Sequence, residues 1–170
     1  MLGKLFIAKC QMYIAFTLII FLIAIVLQTS VLKHVFAIRP DLILIIIVYL
    51  GLVRGSNSGC VSGFFFGLVE DVSSGMDLGS NALTKTIIGF FCGRSGKRLY
   101  TQSLFSQILC VGIGTVVDTI LLFSINGFIP NWKNIVFYKT FYNIICCPFI
   151  VFVFHLGEKR LGVKSPPPKF

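Results

Sequence analysis

Three ionisable side chains interrupt apolar stretches of the 170-residue chain and are its first candidates for chemistry: Lys85, Asp118 and Lys139. A charge inside a lipid-embedded helix is costly, so it either pairs with an opposite charge or takes part in ion or proton movement. The helical rise places Lys85 and Asp118 at a similar depth, ~10–12 Å below one membrane surface. We expect these two to face the bundle interior and to pair directly or through water, with Lys139 as the competing partner of Asp118. A lone pair without further carboxylates or histidines favours a structural clip over a proton relay.

A second group of candidates lies in the glycine-punctuated segment from Gly67 to Leu83. This segment contains three of the six carboxylates of the chain, Glu70, Asp71 and Asp77. Oxygen side chains beside a helix start can accept hydrogen bonds from its free amide groups, so helix capping is one interpretation. The other is a rigid turn that contacts a partner, formed by Asp71, Gly75, Asp77, Gly79 and Asn81.

Sequence motifs of catalytic and metal sites are missing from the chain. It has no G-x-S-x-G, no phosphate-binding P-loop and no H-E-x-x-H. His34 and His155 have no carboxylate or cysteine at ligand spacing, and the six cysteines show no C-x-x-C spacing. We therefore expect no enzyme activity, no cofactor and no metal, and we interpret the cysteines as small apolar side chains.

Glycines recur every fourth residue in two stretches, a spacing that gives a helix one smooth face for close approach of another backbone. Tight packing within the bundle is the favoured interpretation. A face for the transmembrane helix of a partner is the alternative. The residues of this packing stripe are Gly55, Gly59, Gly63, Gly67, Gly89 and Gly93.

Composition identifies the class of protein that holds these residues. Apolar residues make up 56% of the chain and charged residues 12%, too apolar for a soluble domain of this size. Long uncharged runs predict an all-α membrane protein, a bundle of six transmembrane helices over residues 1–157. Residues 158–170 are predicted to form a disordered, basic and proline-rich cytoplasmic tail. Span one is predicted over Met12–Leu32, span two from Asp41 to near Val53, span three from after Gly59 to about Val72, and span four over about Leu78–Gly93. Spans two and three are short, so we expect snorkelling by Arg54, local thinning of the bilayer, or burial among the other helices.

The net charge of +9 follows the predicted membrane topology rather than a nucleic-acid partner. Lysine and arginine concentrate in the segments predicted to lie inside the cell, whereas the outside segments hold Lys33, Arg39 and Lys133. This bias predicts that both termini are cytoplasmic.

From Arg39 onward, the order of features resembles the bacterial rod shape-determining protein MreD family. The matching pieces are RPDLILIIIVYL, the glycine stripe GCVSGFFFGLVED, and VVDTILLF around Asp118. The most specific piece is G-L-x-x-D-x-x-S-G-x-x-L-G-x-N-A-L, formed by Gly67, Leu68, Asp71, Ser74, Gly75, Leu78, Gly79, Asn81, Ala82 and Leu83.

The resemblance implies a non-catalytic component of the cell-wall elongation machinery in the bacterial cytoplasmic (inner) membrane. It implies MreC, MreB, RodA and the transpeptidase partner of RodA as partners. It also implies a fold similar to the substrate-binding subunits of energy-coupling-factor vitamin transporters. We hypothesise that the glycine-lined face of spans three and four, with the Asp71–Asn81 turn, docks MreC.

The alternative from another class is a small-molecule, vitamin-type binding subunit of a membrane transporter. Such a subunit needs several polar groups that converge in an outer cavity, and the sequence offers few beyond Asp118, Lys85 and Asn143. Span one also lacks the A-x-x-x-A face by which those subunits contact their coupling partner.

Overall fold

The chain folds into six helices, with no strand among the residues that the structure describes. A computed structural model describes residues 2–31, 39–75, 78–96, 103–127 and 130–161. The helices are α1 (Leu2–Val26, continued by a π-helical turn at Leu27–Val31), α2 (Leu42–Arg54), α3 (Ser56–Ser74), α4 (Ser80–Ser95), α5 (Leu104–Asn126) and α6 (Trp132–Leu161).

Three helical segments are long and apolar enough to cross a membrane: Gln11–Ser30 in α1, Leu104–Asn126 in α5 and Trp132–Arg160 in α6. The helix α2 is a shorter apolar helix. These findings agree with an all-α membrane protein, while the count of six spans stays a prediction. The helix α6 continues to Leu161, past the predicted start of the tail at residue 158, and residues 162–170 lie outside the described residues.

The short helix α2 lies at the centre of the bundle. Every residue from Ile43 to Leu52 is buried, so the helix is covered on all sides by its neighbours. A helix that is apolar all round is suited either to a protein interior or to lipid, and the burial of these residues shows that α2 lies in the protein interior. Of the three explanations offered for its shortness, burial among the other helices is therefore the one that the structure supports.

The end of α2 nearer Arg54 is tied to α1 and α6. The guanidinium carbon of Arg54 lies 3.4 Å from the centroid of the Tyr13 ring, a cation–π contact. The hydroxyl of Tyr13 donates a hydrogen bond to Glu158 Oε1 at 3.3 Å. A tyrosine on α1 thus joins a cation on α2 to a carboxylate on α6.

The glycine stripe forms a helix–helix contact within the molecule, between α3 and α4. A Cβ atom built on Gly67 would lie 2.6 Å from the Cα of Ala82, and one built on Gly59 would overlap the carbonyl group of Gly89. Such close approach allows van der Waals contact between backbones, which is a main source of helix association in lipid. The favoured interpretation of the stripe is therefore the one that the packing supports.

Two expectations about these glycines are corrected by the packing. The glycine-lined face of α3 and α4 is covered by the opposing helix, so it is not open for docking MreC. Gly55 contributes to the stripe through its backbone, which lies against Gly93, but not through a missing side chain: it lies in the sharp link between α2 and α3 with φ +94°, and a Cβ there would meet nothing within 4 Å. Its role is the backbone conformation that glycine adopts most easily.

We predict that Gly59→Ala destabilises the protein by about 1–3 kcal/mol, because the added methyl group would force α3 and α4 apart. The matched control is Gly112→Ala on α5, where the new Cβ would make an ordinary 3.7 Å contact with Ile144. This control should be neutral or stabilising by up to ~1 kcal/mol through helix propensity. Thermal unfolding in detergent, followed by circular dichroism, measures both. Equal effects of the two substitutions would contradict the close packing.

Candidate functional site

Five charged side chains converge at one end of the bundle, where α2, α4 and α6 begin and α3 and α5 end. The helix order alone brings them together, since each lies near the relevant terminus of its helix. All five side chains are largely or wholly buried. They are Asp41, Glu70, Lys85, Asp118 and Lys139.

These residues form an alternating ion-pair chain in the order Glu70–Lys85–Asp41–Lys139–Asp118. Lys85 Nζ contacts Glu70 Oε2 and lies 3.1 Å from Asp41 Oδ2. Lys139 Nζ lies 3.4 Å from the same Asp41 oxygen and 3.0 Å from Asp118 Oδ2. Each buried charge thus has an opposite charge beside it, which offsets the cost of removing it from water.

The structure corrects the direct pairing expected between Lys85 and Asp118. Both side chains are fully buried in the bundle interior, but Lys85 pairs with Asp41 and Glu70. Asp118 pairs instead with Lys139, the competing partner considered from the sequence, and accepts a hydrogen bond from Thr84 Oγ1 at 2.9 Å. The physical reason is that Asp41 lies between the two ammonium groups.

Asp41 is the central residue that the sequence reasoning did not select. Its Oδ1 accepts a hydrogen bond from Leu44 N at 2.9 Å and caps α2, while its Oδ2 faces the two lysines. Its backbone N–H donates to Asn143 Oδ1 at 2.7 Å. The signal that could have identified it is Pro40-Asp41 directly before an apolar run, a typical helix start.

Asp71 has a different role from its neighbour Glu70. Its carboxylate accepts hydrogen bonds from the backbone N–H groups of Gly79, Asn81 and Ala82, at 3.0, 3.0 and 3.1 Å. It also accepts one from Asn81 Nδ2 at 2.9 Å. A fully buried side chain of α3 therefore caps the amino-terminal end of α4, where free amides and the helix dipole favour a negative charge.

The turn between α3 and α4 is only partly the exposed surface expected from the sequence. Asp71 and Asn81 are buried and bonded to each other, which supports the capping interpretation for these two. Gly75 and Gly79 supply positive φ angles of 65° and 100°. Asp77 lies outside the described residues. Among the described residues at this turn, the exposed apolar side chains are those of Val72, on the last turn of α3, and Leu78.

A cavity of about 400 Å³ lies beside the ion-pair chain, and we call it the network cavity. Within the ion-pair chain, Glu70 and Lys139 have appreciable side-chain exposure, 13% and 15%, and both line the network cavity. Its other polar lining includes Gln28, Arg39 and Asn81, and its apolar lining includes Ile25, Ile43, Leu122 and Ile135. Within the described ranges, no group of three His, Cys, Asp or Glu side chains is arranged to hold a metal ion.

The family model for rod shape-determining protein MreD matches residues 8–160, nearly the whole chain. The chain belongs to the MreD family. This membership gives it a role in rod shape determination. The family motif now has a physical basis, because Gly67 and Ala82 set the contact of α3 with α4 while Asp71 and Asn81 close the turn between them. No solved structure matches the chain, so the likeness to vitamin-transporter subunits stays a prediction.

We predict that Lys85→Met destabilises this MreD-family protein by about 3–5 kcal/mol, because it leaves Asp41 and Glu70 buried without their shared cation. Lys133→Met, at an exposed position, is the control and should change little. Adding Glu70→Gln to Lys85→Met should restore part of the loss by removing one of the uncompensated charges. Chemical or thermal unfolding in detergent measures all three. A Lys85→Met protein as stable as the control would refute the ion-pair chain.

We predict that Asp71→Ala loosens the start of α4, because three backbone N–H groups lose their acceptor. Each unsatisfied buried group costs about 1–3 kcal/mol, so amide exchange in this turn should accelerate by roughly tenfold or more. Hydrogen–deuterium exchange with mass spectrometry measures the effect at Gly79–Ala82. The control is Ser73→Ala, an exposed side chain that bonds only to its own helix through Val69. Unchanged exchange in Asp71→Ala would rule out the cap.

Proposed function

We propose that this protein is a non-catalytic docking and stabilising component of the cell-wall elongation machinery in the bacterial cytoplasmic membrane. In this proposal it contacts MreC and, with MreC, supports MreB, RodA and the transpeptidase partner of RodA. The observation that carries the proposal is the turn between α3 and α4. The Asp71 cap holds the backbone of Gly79, Asn81 and Ala82 on the α4 side of this turn. The apolar side chains of Val72 and Leu78, on either side of the turn, are exposed.

The docking surface we propose differs from the glycine face suggested by the sequence. Leu78 precedes α4 and is 73% exposed, and Val72 on the last turn of α3 is 68% exposed. Apolar anchors on a backbone that is already ordered lose little conformational freedom on binding. Leu78, which we call the docking tip, therefore suits a contact with an extracytoplasmic or membrane-border segment of MreC.

The ion-pair chain supports the same proposal by holding the turn in place. Glu70 and Asp71 are consecutive residues, one paired with Lys85 and the other capping α4. Asn81 contacts both Asp71 and Lys85 through its side chain. The position of the docking tip is thus tied to the bundle interior rather than to a free loop. The matching family is a shape-determining one, which favours this function over that of a transporter subunit.

We predict that a photo-crosslinking amino acid at Leu78 captures MreC in living cells. A matched position on the outer face of α6, Phe149, is 72% exposed and should capture no elongation protein. Gly63 is not a usable control position, because any side chain there would disrupt the packing of α3 against α4. Capture at Phe149 but not at Leu78 would place the docking surface elsewhere.

Cell shape tests the same proposal without a crosslinker. In cells whose own copy is depleted, the unaltered chain should restore rods, whereas Leu78→Glu should leave rounded cells at equal protein level. Ser73→Ala, on the same turn, should restore rods. Rods with Leu78→Glu would contradict docking through this tip. Loss of uptake of one nutrient without rounding would instead favour the transporter class.

A further inference from the structure

The network cavity contains a buried hydrogen-bond acceptor without a donor. Gln28 Nε2 donates to Glu70 Oε1 at 2.9 Å, which fixes the orientation of the amide because a carboxylate oxygen needs an N–H opposite it. Among the described residues, no group donates to Gln28 Oε1, although this oxygen is buried. An unpaired buried acceptor costs about 1–3 kcal/mol, so a donor from a bound molecule would stabilise the site.

The charges around that acceptor also favour a cationic donor. The ion-pair chain contains three carboxylates and two ammonium groups, so it carries one negative charge more than positive. Glu70 is its terminal carboxylate, and within the described ranges Oε1 of Glu70 is bonded only to the neutral amide of Gln28. A primary ammonium has three N–H donors and could serve both Gln28 and Glu70.

Arg39 places a positive charge at another part of the same cavity. It is exposed and, within the described residues, forms no salt bridge. A guanidinium binds phosphate through paired hydrogen bonds. The cavity thus combines an acceptor region that suits an ammonium group with a cation that suits a phosphate. Lys139, which also lines it, is already paired with Asp41 and Asp118.

The size and walls of the cavity indicate an amphipathic ligand. A volume of about 400 Å³ is far larger than a bare ion needs and falls within the range of small-molecule sites. Ile25, Ile43, Leu122 and Ile135 form apolar walls beside the polar groups. We propose that the network cavity binds a primary ammonium–phosphate zwitterion, such as the headgroup of phosphatidylethanolamine. Its ammonium lies against Gln28 and Glu70, its phosphate against Arg39.

Native mass spectrometry of the full chain in detergent tests the proposal, with phosphatidylethanolamine and phosphatidylcholine added in parallel. The two headgroups carry the same charges, but choline has no N–H to donate to Gln28 Oε1. We expect phosphatidylethanolamine to be retained roughly tenfold better, the effect of one lost hydrogen bond to a buried acceptor. Equal retention of the two lipids would overturn the proposal.

Variants of the cavity wall separate this site from general lipid binding. Gln28→Leu and Glu70→Gln should each abolish the preference for phosphatidylethanolamine. Thr29→Val, on the same wall, should keep it, because the Thr29 hydroxyl bonds to Ile25 O of its own helix. If Glu70→Gln unfolds, Gln28→Leu alone decides, since it leaves the ion-pair chain intact. An unchanged preference in Gln28→Leu would overturn the proposal.

Free phosphoethanolamine distinguishes the source of the headgroup. If it displaces the lipid at comparable concentration, the ligand is a soluble zwitterion. If it does not displace the lipid, the apolar walls contribute and the ligand is the lipid itself. Both results support the zwitterion site, and neither depends on the docking of MreC, whose readout is crosslinking from Leu78.

Discussion

The carboxylate of Asp41, set between two buried ammonium groups, is the interaction on which the arrangement of the other helices depends. One of its oxygens caps the start of α2, and the other lies against the ammonium groups of both Lys85 of α4 and Lys139 of α6. Without it, two like charges would face each other in a medium of low dielectric constant, where repulsion is strong. Three helices are therefore held in register by one side chain, and Glu70 and Asp118 extend the same pattern to α3 and α5.

Two kinds of interaction stabilise this bundle: close glycine packing and buried polar contacts. Glycines bring α3 and α4 into close backbone contact, which does not depend on charge. The ion-pair chain and the Asp71 cap act at one end only, where they join α3 to α4 through directional hydrogen bonds and ion pairs. A docking surface at this end of the bundle is held in one position by these contacts, which is consistent with a scaffold rather than with a moving part.

The sequence predicted the membrane class, the inward position of Lys85 and Asp118, and the close packing of spans three and four, because depth and periodicity determine these features. It did not predict the ion-pair partners, because helical rise gives the height of a side chain but not its direction around the axis. Glu70 and Asp71 illustrate this limit: consecutive helix residues point ~100° apart, so one joins the ion-pair chain and the other caps α4. The network cavity also could not be foreseen, since its lining comes from six separate segments of the chain.

The complete burial of α2 has a consequence for how the protein enters the bilayer. At 13 residues, or about 20 Å of helix, α2 is too short to span about 30 Å of hydrocarbon alone. Its carboxylate start and its Arg54 end would both meet lipid if it were inserted before its neighbours. The lysines that pair with its amino-terminal carboxylate, Lys85 and Lys139, belong to helices that follow α2 in the chain. The favourable environment of the central helix is therefore complete only when α4 and α6 are also in the bilayer.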